Sequence, residues 1–239
     1  MSMAAHAQEG PAAGAKRIWW IGGSKGGVGK SMMTLAAVDY FLDKGRGVTL
    51  VECDTSNPDV GKAYHGVVQA LHPIDLDTKD GWLRLVNVCG ESSEGLVVIN
   101  TAARSNGAVR EYGELLGEAA EELGGMVVLW VINRQRDSLE LLHEFLELVP
   151  QAELHVVRNR YFGKEAQFEL YESSHVRTVV EGRGGKTVTL PDLADRVVNE
   201  LYSQRLPIST AARSMPIGNR AELQRWRREV GKLFSQLGV

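Results

Sequence analysis

Solid apolar runs alternate along the chain with segments whose apolar residues recur every three or four positions. Runs without polar alternation are typical of strands buried on both faces of a parallel sheet. They predict strands at 18–23, 48–53, 72–76, 96–100, 126–132, 154–158 and 187–190. The helical period predicts helices at 30–44, 78–90, 107–123, 138–148, 165–181, 192–204 and 219–237. This alternation predicts a doubly wound α/β domain with a mostly parallel sheet of about seven strands and helices on both faces.

Composition narrows the class of protein. The chain has 239 residues, 44% of them hydrophobic, and a net charge of −3, so the whole molecule is not a strongly basic nucleic-acid binder. Cys53 and Cys89 are far apart in sequence, which favours reduced thiols in a cytoplasmic protein. We expect a flexible tail at 1–16, with no basic start or apolar block of a secretory signal, and a single domain at 17–239.

A glycine-rich loop follows the first predicted strand. In SKGGVGKS, successive backbone N–H groups can curl around an anion, and the next helix adds its positive N-terminal end. Lys30 would then reach the β- and γ-phosphates, and the Ser31 hydroxyl would bind Mg²⁺. Ser24 stands where the usual GxxxxGK[ST] pattern has glycine, and a glycine turn without a ligand is the alternative. The predicted nucleotide-binding residues of this segment are Gly26, Gly27, Val28, Gly29, Lys30, Ser31 and Met32.

A second lysine, Lys25, precedes the glycines. KGGVGKS resembles the deviant Walker A motif of the ParA/MinD family of dimerising ATPases. The resemblance implies a P-loop fold, ATP and Mg²⁺ as ligands, and a homodimer formed on ATP binding, in which Lys25 reaches the partner's phosphates. A cation there would help to neutralise charge on the transferred phosphoryl group. A solvated surface lysine is the alternative.

Two further strand ends extend the resemblance. VECDTSNPD looks like the family's VDxDPQ segment, with Glu52 in place of the first acid. The resemblance implies that Asp54 orients the attacking water and lies near Mg²⁺, whereas a turn-capping role is the alternative. At the end of the 96–100 strand, Asn100 stands where the family has aspartate, so only its carbonyl could accept a hydrogen bond from a metal-bound water. This departure predicts slow hydrolysis. Met32, where the family commonly has a second threonine, lacks the hydroxyl that would contact the α-phosphate, although its backbone N–H can still contribute.

An asparagine after a late strand is the candidate reader of the base. Asn159, in VRNRYFG, resembles the family's adenine-binding position, and its amide offers both a donor and an acceptor. Asn133 is the competing candidate, and closing a turn is the alternative for Asn159. The segment 205–212 could form the other wall of the base pocket. The stretches WVINRQRDS and VRNRYFG, which contain Asn133 and Asn159, also resemble the plasmid conjugation and mobilisation branch of the family.

The C-terminal segment is basic and amphipathic. Its apolar residues lie on one helical stripe, which favours packing on the sheet. Its basic residues could also contact DNA phosphates without base specificity; these are Arg220, Arg225, Arg227, Arg228 and Lys232. A helix lying on a membrane is disfavoured, because Trp226 stands at the centre of the stripe.

Four functions are compatible with these features to different degrees. The resemblance favours an ATP-binding, slowly hydrolysing switch in plasmid partition or conjugative mobilisation, with a partner protein or cargo adaptor. A P-loop enzyme that phosphorylates a small acceptor would need a cluster of acids and bases that the sequence does not offer. A metal-insertion ATPase is disfavoured because the chain has no CxxC pair. An ATP-binding adaptor with little or no hydrolysis stays open because of Asn100.

Overall fold

A computed structural model describes residues 18–23, 26–92, 95–103 and 106–239. Within them lies a seven-stranded sheet in which every strand pair is parallel. The strands are β1 (Ile18–Gly23), β2 (Val48–Glu52), β3 (Ala70–Pro73), β4 (Leu96–Asn100), β5 (Met126–Ile132), β6 (Glu153–Asn159) and β7 (Thr187–Leu190). Their spatial order is β3-β2-β4-β1-β5-β6-β7. The α/β fold predicted from the sequence, with a mostly parallel sheet of about seven strands, is thereby confirmed.

In the described residues, ten α-helices connect or follow these strands. They are α1 (Lys30–Asp43), α2 (Asp59–Tyr64), α3 (Lys79–Glu91), α4 (Asn106–Glu122), α5 (Arg136–Leu148), α6 (Glu169–Glu172), α7 (His175–Gly182), α8 (Asp195–Gln204), α9 (Ile208–Ser214) and α10 (Ile217–Leu237). Two short 3-10 turns, Arg160–Phe162 and Glu165–Gln167, lie between β6 and α6.

The sheet buries two separate apolar cores. Successive side chains of a strand point to opposite faces, so Trp19 packs in the core that α1 and α10 cover, and Trp20 packs in the core that α3 and α5 cover. The central strand β1 lies between β4 and β5 and is buried along its whole length. Its carboxyl end therefore emerges at the middle of the sheet, where the order of strands reverses and ligands bind in such folds.

Two predicted elements differ from the structure, and two short helices were not predicted. The helix predicted at 165–181 is interrupted, because Ser174 caps a new helix by accepting a hydrogen bond from the Arg177 N–H group at 3.2 Å. The strand predicted at 72–76 is Ala70–Pro73 and lies at the sheet edge, where a proline is tolerated. The short helices α2 and α9, each of which begins directly after a proline, were not predicted.

Candidate functional site

The glycine loop joins β1 to α1 at the carboxyl edge of the sheet. Gly27 and Gly29 have φ values of 79° and 105°, in the left-handed region that glycine adopts readily. A Cβ on Gly29 would lie 2.2 Å from Asn159 Nδ2, so a larger residue is excluded there by contact as well as by backbone conformation. Lys25 and Ser24 lie outside the described residues.

Lys30 begins α1 and is buried, with 6% of its surface exposed. Burial lowers the pKa of its ammonium group from 10.5 to about 8, and the charge of Asp54 partly opposes that change. Ser31 and Met32, the next two residues, are half-buried. The first N–H groups of a helix have no carbonyl partner within the helix, so this end of α1 combines a desolvated cation with a site that favours an anion.

Asp54 lies two residues beyond the end of β2 and is half-buried. Its Oδ1 accepts hydrogen bonds from Ser56 Oγ at 2.7 Å and from the Asn57 N–H group at 3.1 Å. These are turn-capping contacts. They fix the carboxylate beside the loop, close enough to Lys30 to affect its pKa. Its role toward water stays a prediction.

Beneath the loop, three fully buried polar side chains form one hydrogen-bonded chain. Asn100 donates from Nδ2 to Glu52 Oε1 at 2.7 Å, and its Oδ1 lies 2.9 Å from Thr34 Oγ1. Glu52 also accepts from the N–H groups of Asp54, at 3.1 Å, and Gly61, at 2.9 Å. Burial raises the pKa of the Glu52 carboxyl against these hydrogen bonds. Thr34 was not singled out from the sequence, although it lies one helical turn beyond Lys30.

Asn159, at the end of β6, is buried and holds the glycine loop. Its Nδ2 donates to the Val28 carbonyl at 2.8 Å, and its Oδ1 accepts from the Tyr161 N–H group at 3.1 Å. The turn-closing contact is therefore present, together with a bond to the loop that the sequence did not suggest. The competing Asn133 closes the turn just before α5, where its Oδ1 accepts from the Gln135 N–H group at 2.9 Å.

A cavity of about 150 Å³ opens beside the loop. Its lining includes Gly27, Gly29, Met32 and Asn159, so it touches both the phosphate loop and the candidate base reader. The opposite wall consists of residues that follow β7 and of α8, namely Pro191, Asp192, Leu193, Asp195, Val198 and Tyr202. None of residues 205–212 lines this cavity, so their place beside the base stays a prediction. The chain turns back over the loop directly after β7, and Trp226 holds this turn by donating from Nε1 to the Pro191 carbonyl at 2.8 Å.

The oxygen donors near the loop suit Mg²⁺, which needs few protein ligands, better than a metal ion held entirely by protein side chains. In the described part of the chain, no three His, Cys, Asp or Glu side chains form a cluster that could hold a metal ion. Mg²⁺ retains several waters and binds through one or two protein oxygens plus phosphate, and Ser31 and Asp54 could supply those oxygens. The Asn100 carbonyl oxygen lies against the Thr34 hydroxyl, so its outer-shell role stays a prediction.

The C-terminal helix packs as its apolar stripe predicts. The stripe is buried at Leu223, Trp226, Val230, Leu233 and Leu237. Arg227 pairs with Asp39 of α1 at 2.8 Å and with Asp43 at 2.9 Å, and these contacts argue against a role for Arg227 on DNA.

The other predicted DNA contacts lie on or near the surface of α10. Arg225 pairs with Glu222, Lys232 pairs with Glu229, and Arg220 donates to the Arg213 carbonyl, whereas Arg228 is exposed. No helix among the residues that the structure describes is long and apolar enough to cross a bilayer.

Comparison of the sequence with known proteins identifies a family and a similar relative. Residues 19–167 match the family described as the CobQ/CobB/MinD/ParA nucleotide binding domain. The chain is 56% identical to Protein MobD of Acidithiobacillus ferrooxidans over 221 residues, which are 92% of this chain and 97% of the relative.

Solved structures resemble the fold at low sequence identity. A Cyanothece McdA–ATP complex superposes with a TM-score of 0.56 at 12% identity, over 93% of this chain and 96% of that chain. A putative plasmid partition protein from Borrelia burgdorferi, bound to AMPPNP, gives 0.56 at 15% identity, over 92% and 98%. MinD of Pyrococcus furiosus gives 0.51 at 16% identity, over 91% and 99%. Because the family match spans the strands and the loop that build the site, the protein belongs to the CobQ/CobB/MinD/ParA family of nucleotide-binding proteins.

Proposed function

We propose that the protein is an ATP-binding, slowly hydrolysing dimerisation switch that acts in the mobilisation or partition of DNA. The observation that carries the proposal is Lys30, a buried cation at the start of α1 beneath a loop in which Gly27 and Gly29 have positive φ. Its lowered pKa reflects a dry site, where a polyanion gains more from each charge and donor than it would in water. A phosphate chain is the ligand that such an arrangement fits.

Each site residue has a role in this proposal. The backbone from Gly26 to Met32 and the Lys30 ammonium hold the phosphates, and Ser31 binds Mg²⁺, with Asp54 near its water shell. When bound, Mg²⁺ neutralises charge on the phosphates. Asp54 accepts the proton of the attacking water or orients that water. Asn159 and the adjacent cavity receive the adenine, and the turn after β7 encloses it.

Dimerisation is proposed through Lys25, whose ammonium would contact the phosphates held by the partner subunit. Size-exclusion chromatography with a non-hydrolysable ATP analogue tests this directly. Wild type is expected to shift from monomer to dimer, and Lys25→Ala is expected to stay monomeric while still binding nucleotide. Lys79→Ala, at an exposed lysine that begins α3, is the matched control. A wild-type monomer at saturating nucleotide would refute the switch.

The biological process is supported by the MobD relative and by its coverage of nearly the whole chain. We propose a cytoplasmic protein whose ATP-bound dimer presents a surface to a partner protein or cargo adaptor. Plasmid transfer from a host that carries the Lys25→Ala variant tests this process, and transfer at the wild-type frequency would contradict it.

An ATP-binding adaptor with little or no hydrolysis is the second candidate. The observation that favours it is the engagement of Asn100, because both ends of its amide are hydrogen-bonded within the protein. Phosphate release from the pure protein, measured with and without DNA, separates the two functions. Turnover that depends on Asp54 supports the switch. Stable ATP binding without phosphate release supports the adaptor.

DNA binding is proposed on the exposed side of α10, through Arg225, Arg228 and Lys232. Arg227 is not included, because its guanidinium pairs with Asp39 of α1. Such binding is to phosphates and should weaken steeply as salt rises from about 50 to about 200 mM. Replacing Arg228 and Lys232 by glutamine should reduce both the affinity and the slope of its salt dependence. Unchanged binding by that variant would remove α10 from the DNA surface.

A further inference from the structure

The buried chain of Thr34, Asn100 and Glu52 joins three elements that carry the site. Thr34 belongs to α1, whose first turn carries Lys30 and Ser31; Asn100 ends β4; and Glu52 ends β2. All three side chains have at most 1% of their surface exposed. At the far end, Glu52 accepts the N–H group of Asp54. One continuous hydrogen-bonded path thus runs from the phosphate-loop helix to the backbone of the proposed water-orienting residue.

Donors and acceptors along this path are matched in only one way. The Glu52 carboxylate is an acceptor, so the group of Asn100 that faces it at 2.7 Å must be the amide nitrogen. The amide oxygen then faces Thr34, whose single hydroxyl proton is shared between that oxygen and the Lys30 carbonyl, each 2.9 Å away. An amide is the side-chain group that can donate on one side and accept on the other without carrying charge.

We propose that Asn100 is a positioning residue whose amide, paired with Glu52, fixes the Asp54 segment relative to the first turn of α1. This role rests on the proposed nucleotide function. It gives a physical reason for an amide at the end of β4, because a carboxylate at position 100 would set two oxygens against each other where the donor now lies. An aspartate introduced there alone should therefore weaken the site instead of improving it.

Exchanging the two groups tests the pair. In Glu52→Gln with Asn100→Asp, the new amide can donate to the new carboxylate, and its oxygen can still accept from the Gly61 N–H group. One pair of donors still meets, because the new amide nitrogen also faces the Asp54 N–H group, so the double variant should recover only in part. Each single variant leaves a mismatch: two acceptors meet in Asn100→Asp, and two donors meet in Glu52→Gln at Gly61.

The experiment compares wild type, both single variants and the double variant by denaturation midpoint without ligand, by ATP affinity and by single-turnover hydrolysis. Val98→Ala is the matched control, because it removes buried methyl groups from the same strand and leaves the polar path intact. Asn100→Asp is expected to lower the midpoint and to slow single turnover by about tenfold or more. The double variant should regain most of the midpoint and part of the rate. Val98→Ala should lower only the midpoint when assayed where it is folded.

Three outcomes would overturn the positioning role: hydrolysis at or above the wild-type rate in Asn100→Asp, a double variant no better than Asn100→Asp, or an equal loss of rate in Val98→Ala. Failure of the proposed function looks different. In that case wild type itself fails to bind ATP, and the ligand-free midpoints still show whether positions 52 and 100 are coupled.

Discussion

Replacing Arg227 by methionine tests how α10 is held on α1. The guanidinium donates from Nε to Asp39 Oδ2 at 2.8 Å and from Nη2 to Asp43 Oδ1 at 2.9 Å. The Asp39 side chain is 8% exposed and that of Arg227 is 19% exposed, whereas Asp43 is 61% exposed. Removing the arginine therefore leaves one carboxylate almost buried without its counter-charge, and another in water.

The size of the effect follows from that burial. Breaking a buried pair by removing one partner costs about 3–5 kcal/mol, and we expect the lower end because Arg227 is partly exposed. For a chain of this length, about 3 kcal/mol corresponds to a fall in melting temperature of about 6–12 °C. Asp43→Ala, at the exposed partner, should change stability by less than about 1 kcal/mol. Asp39→Asn with Arg227→Met removes both charges and should recover most of the loss.

The loss of stability in Arg227→Met should also depend on pH, in a direction that the pKa of Asp39 determines. Burial raises the pKa of Asp39, and Arg227 opposes that shift, so the pKa rises further in Arg227→Met. As pH falls through this raised pKa, the carboxyl takes up a proton and no longer needs a counter-charge. The loss of stability relative to wild type should therefore be smaller at pH 5 than at pH 7. Chemical denaturation at both pH values measures it. A loss below about 1 kcal/mol at pH 7, or one that grows toward pH 5, would refute the reasoning.

Two other predictions concern the phosphate loop. ATP binding at pH 8.5 should take up protons, because phosphates favour the charged form of Lys30. The contribution of Lys30 to ligand-free stability should rise with pH between about 8 and 10.5, where its unfolded form binds more protons, whereas the raised pKa of the buried Cys53 thiol contributes in the opposite direction. Calorimetry in two buffers of different ionisation enthalpy measures the uptake; equal heats would contradict it, and Lys79→Ala should leave it unchanged. Gly29→Ala should weaken ATP binding and lower stability by more than Gly45→Ala, because both glycines have positive φ but only Gly29 abuts Asn159. Equal losses of stability in the two variants would show that the contact with Asn159 is unimportant.

Continuous apolar runs and helical periodicity predicted the sheet well, because parallel strands are buried on both faces and their sequences show it. Four of the predicted strands begin and end where the structure has them, and two more differ by one residue at one or both ends. The mostly parallel arrangement followed from the alternating helices. The helix predicted at 165–181 failed for a local reason. Its apolar spacing continues across Ser174, but the hydroxyl of that residue caps a new helix and competes with the backbone.

The contacts within the site were harder to predict than its position. A motif with glycines and lysine after a strand locates the loop, because its chemistry depends on local backbone geometry. The partners of Asn100 and Asn159 come from segments 66 and 131 residues away, so no local pattern reports them. An isolated asparagine gives the same signal in sequence whether it contacts a base, a metal-bound water or a neighbouring carbonyl.

Helix α1 is the element that joins the phosphate loop both to the buried polar path and to α10. Its first turn carries Lys30 and Ser31, Thr34 opens the buried path to Asp54, and Asp39 receives Arg227 from α10. Lys30 and Asp39 are nine positions apart, which is about 14 Å along a helix axis. The turns between them are buried, and α10 contacts α1 both through the Arg227–Asp39 pair and through Phe234, which lies against the rings of Tyr40 and Phe41. Because the ring contacts remain in Asp39→Asn with Arg227→Met, α10 should stay packed on α1 in that double variant, which is why most of the lost stability should return.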